Sequence, residues 1–162
     1  MKRIALIAAL LLLTISSFAQ NGRSIYQKYS DTEGVSAVYI SPAMFRLMGK
    51  MPDLQMEGED INLAPLVHSL SGLYLISCED SAVGKEIKKD AEKFVAAGKY
   101  ELILEAKDSG EAVRIYTVGD DKTVTGFVMI AADSSETTFI CLDGTMDREE
   151  LENLLAQSMA TE

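Results

Sequence analysis

Few side chains in this sequence have the chemistry for catalysis, and none of them stands in a recognised catalytic pattern. His68 is the only histidine, so a serine or cysteine nucleophile that needs a histidine base would depend on it. No GxSxG segment is present, and neither Cys78 nor Cys141 lies in a nucleophile motif. A lone histidine on a short predicted helix is typical of a surface or capping residue. We therefore expect that the protein is not an enzyme.

Metal and cofactor sites have little support in the sequence. One histidine and two separated cysteines do not make a zinc site, and the calcium-loop and glycine-rich phosphate-loop patterns are absent. Four methionines, whose thioethers suit cuprous ions, lie close together: Met44, Met48, Met51 and Met56. Because Met44 and Met48 share the apolar face of a predicted helix with Phe45, we favour space filling over copper binding. We expect no metal and no cofactor.

The two cysteines leave two alternatives open. Cys78 ends one predicted strand, and Cys141 lies near the end of another. If these strand ends are neighbours, the two residues can form a disulfide in an oxidising compartment. Otherwise they are small buried thiols, which is the interpretation we favour.

Residues 1–19 have the organisation of a secretory signal. A charged start, an apolar core and small residues before a cleavage site at Gln20 follow one another: Lys2 and Arg3, residues 4–13, then Ser17 and Ala19. An apolar core of about ten residues is too short to span a bilayer of about 30 Å. We expect a periplasmic or extracellular protein with no transmembrane anchor after cleavage. The remaining residues, 20–162, have the length of a single domain.

The charge of the chain restricts its partners. The formal net charge is −10, and removal of Lys2 and Arg3 with the signal makes it about −12. A surface this acidic repels phosphate backbones and anionic membranes, so we expect no nucleic-acid binding. The acidic residues are spread along the chain, and solubility is their simplest role.

The elements that must position any site predict an α+β fold. Four β-rich runs, residues 100–106, 112–118, 124–132 and 137–142, are separated by short turn clusters, which permit only hairpin connections. Upstream, the pattern predicts a helix over 23–30, a strand over 35–40, a helix from Ser41-Pro42 to Met48, a strand over 73–78 and a helix over 81–97 ended by Gly98. We predict a largely antiparallel sheet of about six strands, with a four-strand C-terminal meander and helices packed on the sheet.

Two helix boundaries follow from apolar spacing and capping residues. Leu63, Leu66, Val67 and Leu70 recur at helical intervals, and Gly72 is the expected stop. A last helix begins at Asp147, which has capping-box spacing to Glu150. Its apolar face consists of Leu151, Leu154, Leu155 and Met159.

The alternation within the meander strands predicts which side chains face the core. In the first strand, Tyr100, Leu102 and Leu104 are expected on one side, and Glu101, Glu105 and Lys107 on the other. The third strand is apolar on both sides, with Val124, Val128 and Ile130 on one and Phe127, Met129 and Ala131 on the other. Either helices cover both sides of this strand, or one side binds a partner.

Several segments of the chain resemble a known family. These are Tyr29-Ser30, Glu33-Gly34-Val35, the strand-to-helix run over 38–45 and the Tyr100-Glu101-Leu102 entry into the meander. Together they resemble the domain-of-unknown-function family numbered 4252. The resemblance implies a secreted protein of the Bacteroidota with an envelope location and a gene neighbourhood that includes extracytoplasmic-function sigma factors. It transfers no active-site residues.

The leading hypothesis for function is a secreted, non-enzymatic interaction module of the cell envelope, linked to envelope sensing. Its expected partner is an envelope protein of unknown identity, its expected partner surface is Phe127, Met129 and Ala131, and a homo-oligomer is a further option. The alternative is a small-molecule or metal-binding periplasmic protein that uses the acidic, methionine-bearing loop over 49–59.

Overall fold

A computed structural model of the chain describes residues 22–48, 64–151 and 153, and it confirms the predicted α+β fold. The helices and strands of the described residues are, in chain order, α1 (Gly22–Tyr29), β1 (Val35–Ile40), α2 (Pro42–Met48), α3 (Ala64–Ser69), β2 (Leu70–Cys78), α4 (Ser81–Ala97), β3 (Glu101–Asp108), β4 (Glu111–Gly119), β5 (Thr123–Ala132) and β6 (Thr137–Asp147). A helical turn begins at Arg148, directly after β6. The predicted signal over 1–19, the loop over 49–59 and the later part of the predicted last helix lie outside the described residues.

The six strands form one antiparallel sheet with the order β1-β2-β6-β5-β4-β3. Strands β3 to β6 make the predicted meander. The last of them, β6, lies in the interior of the sheet and pairs with β2 on its other side. The helix α4 connects β2 to β3 at the far edge. Strands β1 and β3 are therefore the two edge strands of the described sheet.

One face of the sheet is buried under α1 and α4, and we call it the helix face. Ile76, Val128 and Phe139 lie on it, and each is 0% exposed. The ring of Phe94, from α4, meets the ring of Phe139 edge-on at a centroid separation of 6.1 Å. Burial of apolar side chains between these two layers is the main source of stability that the fold offers. We call the opposite side of the sheet the second face.

The helix α4 has the amphipathic pattern that places one side on the sheet. Asp80 caps its first turn, where the carboxylate accepts hydrogen bonds from the backbone N–H groups of Ala82 and Val83 at 2.9 Å. The helix ends at Gly98, as the sequence predicts. Asp147 caps the next helical turn in the same way, through the N–H groups of Glu149 and Glu150.

Close contacts and a charged cluster fix the two helices against the sheet and each other. A Cβ at Gly84 would lie 2.8 Å from Thr137 Oγ1, so only glycine lets α4 approach β6 this closely. Between the helices, Asp90 accepts hydrogen bonds from the Lys28 ammonium group and, at 2.8 Å, from the Tyr29 hydroxyl. These bonds, that from Lys28 first, lower the pKa of Asp90.

Three details of the sequence prediction are wrong. The helix expected to reach Leu70 ends at Ser69, because Leu70 and Gly72 join the β2–β6 ladder opposite Gly144 and Asp143. In β3, a bulge between Leu102 and Leu104 reverses the side-chain alternation.

As a result of the bulge, Leu102 pairs with Tyr116 on the helix face, whereas Leu104 pairs with Ile115 on the second face. In α2, only Phe45 is buried, whereas Met44 is 44% exposed. The helical spacing predicts that Met44 and Phe45 share the buried side of this helix. In the structure, Met44 lies outside that buried side.

Candidate functional site

The second face carries one apolar side chain from every strand in a single row. The strand register pairs these residues one after another across the sheet: Val38, Leu75, Ile140, Met129, Ile115 and Leu104. Because neighbouring strands lie about 4.8 Å apart, the row is about 24 Å long. We call these six residues the apolar row.

A second line of apolar residues widens the surface toward one end of the strands. Ile40, Leu73, Leu142 and Phe127 are consecutive cross-strand partners, and the line ends at Thr117 and Glu101. Residues two apart on a strand are separated by about 7 Å, so the two lines together have a footprint of about 24 by 14 Å on the sheet. Most of these side chains are partly exposed, and contiguous apolar surface that stays in contact with water often has a function.

The second face is more exposed to solvent than the helix face along the same strands. Val38 and Leu104 are both 46% exposed, at the two ends of the apolar row. Between them, Leu75, Met129 and Ile140 are partly exposed. Their neighbours along the chain lie on the helix face and are buried. The two sides of the sheet therefore differ in solvent exposure within the same strands.

The residues predicted from β5 lie on this face. Phe127, Met129 and Ala131 all project to the second face and are partly exposed, whereas Val128 and Ile130 are buried on the helix face. The structure thus brings the three residues together on a surface that is accessible in part. Their role in binding a partner stays a prediction.

The apolar row also contains residues that the sequence did not single out. Leu75 and Ile140 lie on interior strands of the sheet: Ile140 is one strand away from Met129, and Leu75 is two strands away. The sequence does contain an indication of this face. In the runs Leu73 to Ile76 and Phe139 to Leu142, as in β5, the residues that face either side of the strand are apolar. Only the strand register shows that these runs place their second-face residues in one row.

The edge strand β3 is exposed along its whole length. Leu102, Ile103 and Leu104 are 50%, 55% and 46% exposed. Its bulge and its charged residues are devices that natural sheets use to prevent pairing at an open edge. We therefore place the candidate site on the second face rather than at this edge.

Charged contacts of β3 and β4 are concentrated on the helix face. Arg114 donates hydrogen bonds to Glu105 at 2.7 Å and to Glu92 of α4 at 2.9 Å, and Lys107 lies 3.0 Å from Glu105. The bonds from Arg114 and then Lys107 lower the pKa of Glu105. This network ties the exposed end of the sheet to α4 and holds its basic groups away from the second face.

The candidate nucleophiles are poorly placed for chemistry. Burial raises the pKa of the Cys141 thiol, which lies 3.5 Å from Asp143 Oδ1 under α1. Burial also raises the pKa values of Asp143 and Tyr100. Because nucleophilic attack requires the thiolate, a raised pKa disfavours a nucleophilic role for the Cys141 thiol. His68 is exposed on α3.

The disulfide alternative for Cys78 and Cys141 is wrong in this structure. Both residues are free thiols and both are buried. In the β2–β6 register, Cys78 is opposite Thr137 and Cys141 is opposite Tyr74. The two cysteines are therefore four residues apart along the strands, about 13 Å, which is too far for a disulfide.

Among the described residues, no group of three or more histidine, cysteine, aspartate or glutamate side chains could hold a metal ion. Two of the four clustered methionines, Met51 and Met56, and the loop proposed for ligand binding lie outside the described part of the chain. No helix in that described part is long and apolar enough to cross a membrane.

Comparison with known proteins identifies one family. The family model described as Domain of unknown function (DUF4252) matches residues 29–154, which include all six strands of the sheet. No curated protein matches the chain. No solved structure matches it.

Proposed function

We propose, from the premise that the chain belongs to the family described as Domain of unknown function (DUF4252), that it is a secreted, non-enzymatic interaction module of the cell envelope. Its binding surface is the second face of the sheet. The expected origin in the Bacteroidota and the link to envelope sensing belong to the same proposal, and they rest on the family resemblance.

The apolar row is the single observation that carries this proposal. Six side chains, one from each strand, line up over about 24 Å on a face that remains partly exposed. Apolar surface in water has a free-energy cost of about 25 cal/mol per Å², which a partner removes when it covers the surface. The buried polar groups described above offer no competing catalytic arrangement.

Cross-linking in the native cells tests the proposal. We would compare the tagged protein with a Met129→Asp variant, which places a charge in the middle of the apolar row, and identify cross-linked envelope proteins by mass spectrometry. The matched control is Lys89→Glu, which changes an exposed charge on α4, on the other side of the sheet. Urea unfolding of all three proteins separates lost binding from lost folding.

We expect one dominant partner with the unaltered protein and with Lys89→Glu, and its loss with Met129→Asp. If the folded Met129→Asp variant retains the same partner, the second face is not the binding surface. If the unaltered protein yields no partner above background, the interaction module itself is wrong.

A groove between α2 and α3 favours a second candidate, the binding of a small anionic molecule. The groove has a volume of about 460 Å³ and is lined by Ala43, Arg46, Leu47 and His68. It lies between the two helices that flank the segment over 49–63, which contains the loop named in the sequence alternative. Arg46→Ala would abolish anion binding here and leave partner capture through the second face unchanged.

A further inference from the structure

The rim of the second face is acidic. Four exposed carboxylates, which we call the acidic rim, border this face along the edge strand β3 and at the hairpins of one strand end: Glu101, Asp108, Glu111 and Glu136. The last of these accepts hydrogen bonds from Ser77 and Thr138, two hydroxyl residues of the second face. No lysine or arginine occupies a second-face position in any strand of the described sheet.

The basic residues of the same strands lie on the opposite side. Arg114 pairs in register with Ile130, and Lys107 pairs with Ala112, both at helix-face positions. The exposed lysines of α4 are on that side as well, since α4 packs on the helix face. The sheet thus separates charge, with an apolar surface and an acidic rim on the second face.

The shape of the surface selects a helix as the element that covers it. The face of a sheet offers no free backbone groups, so an element that lies on it must satisfy its own backbone hydrogen bonds. A helix does so internally, and at 1.5 Å per residue about 16 residues match the length of the apolar row. A helix is about 10 Å wide, which fits a surface about 14 Å across.

We propose that the second face binds a cationic amphipathic helix of a partner protein, with its apolar side on the apolar row and its basic side chains at the acidic rim. This proposal rests on the proposed function and names the class of partner. Charge complementarity between the helix and the rim then supplies specificity and fast association.

A second copy of the chain fits this surface less well. Two copies stacked through their second faces would bring their acidic rims together, and each chain carries a formal net charge of −10. Like charges placed opposite one another disfavour such an interface. The chain's own C-terminal residues, 152–162, contain Glu152 and Glu162 but no lysine or arginine, so they lack the same complementarity.

Two labelled synthetic peptides of 16 residues test the proposal directly. One presents leucines on one side of a helix and lysines on the other, and the second has glutamates in place of the lysines. Fluorescence anisotropy measures the binding of each to the full chain without residues 1–19. We expect saturable one-to-one binding of the lysine peptide, weaker binding at higher salt, and at least tenfold weaker binding of the glutamate peptide.

The Met129→Asp variant separates docking from general charge attraction. It makes the protein more acidic, so attraction alone would leave binding of the lysine peptide equal or stronger. Docking on the apolar row predicts at least tenfold weaker binding instead. Lys89→Glu adds negative charge on the helix side and should leave the affinity within twofold.

Four results would overturn the proposal, the last of them without refuting the proposed function. The first is equal affinity for both peptides, and the second is undiminished binding of the lysine peptide to folded Met129→Asp. The third is a large gain of affinity in Leu154→Asp, because the chain's own tail would then be the occupant of the face. In-cell capture that depends on Met129, with no binding of the lysine peptide, would leave the interaction module standing and refute only the cationic helix.

Discussion

Two neighbouring residues of β2 provide a matched test of whether the two faces of the sheet differ. Ile76 is 0% exposed on the helix face, and Leu75 is partly exposed on the second face. Both side chains have four carbons, and Ile76→Ala and Leu75→Ala each remove three of them. Both substitutions sit in the same interior strand and leave the same alanine, although isoleucine, being β-branched, also loses somewhat more strand propensity than leucine.

The expected losses follow from burial. Three buried carbons are worth about 2.4 kcal/mol of transfer free energy, and the cavity left in the packed helix face raises the cost of Ile76→Ala to about 3 kcal/mol. At Leu75, water can fill the space because the site is already partly exposed, and we expect a loss of about 1 kcal/mol. The difference is about 2 kcal/mol.

Urea unfolding followed by circular dichroism measures this difference. With a slope of about 1.5 kcal/mol per molar urea, the two midpoints should differ by about 1.3 M. The slopes of the two variants should agree, because neither substitution changes the size of the unfolded surface much. Losses that agree within about 0.5 kcal/mol would show that the free protein buries the second face as well as the helix face, and would refute the account.

Three further predictions concern the helix face. Asp90→Asn should lower stability at pH 7 by about 0.5–1 kcal/mol. This loss should vanish as the pH falls through the lowered pKa of Asp90, because protonation of Asp90 then breaks its bond to Lys28 in the unaltered protein too. Asp143→Asn should raise stability relative to the unaltered protein increasingly as the pH rises above the ordinary carboxyl range, because burial penalises the charged form. Gly84→Ala should destabilise the fold through its clash with Thr137, and Thr137→Ala should recover about 1 kcal/mol of that loss in the double variant.

Urea unfolding between pH 3 and pH 8 checks the two carboxylate predictions, and a double-mutant cycle at pH 7 checks the third. A loss in Asp90→Asn that persists unchanged at pH 3 would contradict the charged bond between α1 and α4. A stability of Asp143→Asn that falls relative to the unaltered protein as the pH rises would contradict the burial penalty on the Asp143 carboxylate. Strict additivity at Gly84 and Thr137 would contradict the close contact.

The sequence predicts the elements of this fold well where local signals agree. Apolar spacing and the glycine stop define α4, and the short turn clusters define the hairpins of the meander. The boundary at Leu70 was missed because helical spacing continues through it, while a long-range ladder with β6 decides its conformation. The bulge in β3 depends on pairing with β4 and leaves no local signal.

The candidate site was predictable only in part. The two apolar parities of β5 identified Phe127, Met129 and Ala131, because a strand that is apolar on both sides needs a cover on both. The apolar row required the register of five strand pairs, which the sequence does not contain. The separation of charge between the two faces was hidden for the same reason, since the bulge changes which charged residues of β3 share a face.

The accessibility of position 129 tests the central claim most directly. A Met129→Cys variant would be labelled with a membrane-impermeant thiol reagent, once as the purified protein and once in native cells. The cells are treated so that the reagent passes their outer layer. Lys89→Cys is the exposed control. The native thiols Cys78 and Cys141 are buried and should react slowly in both settings. We expect fast labelling at position 129 in the purified protein and strong protection in cells, with fast labelling of the control in both. Protection in the purified protein, or equally fast labelling in cells, would contradict the claim that a partner covers the second face.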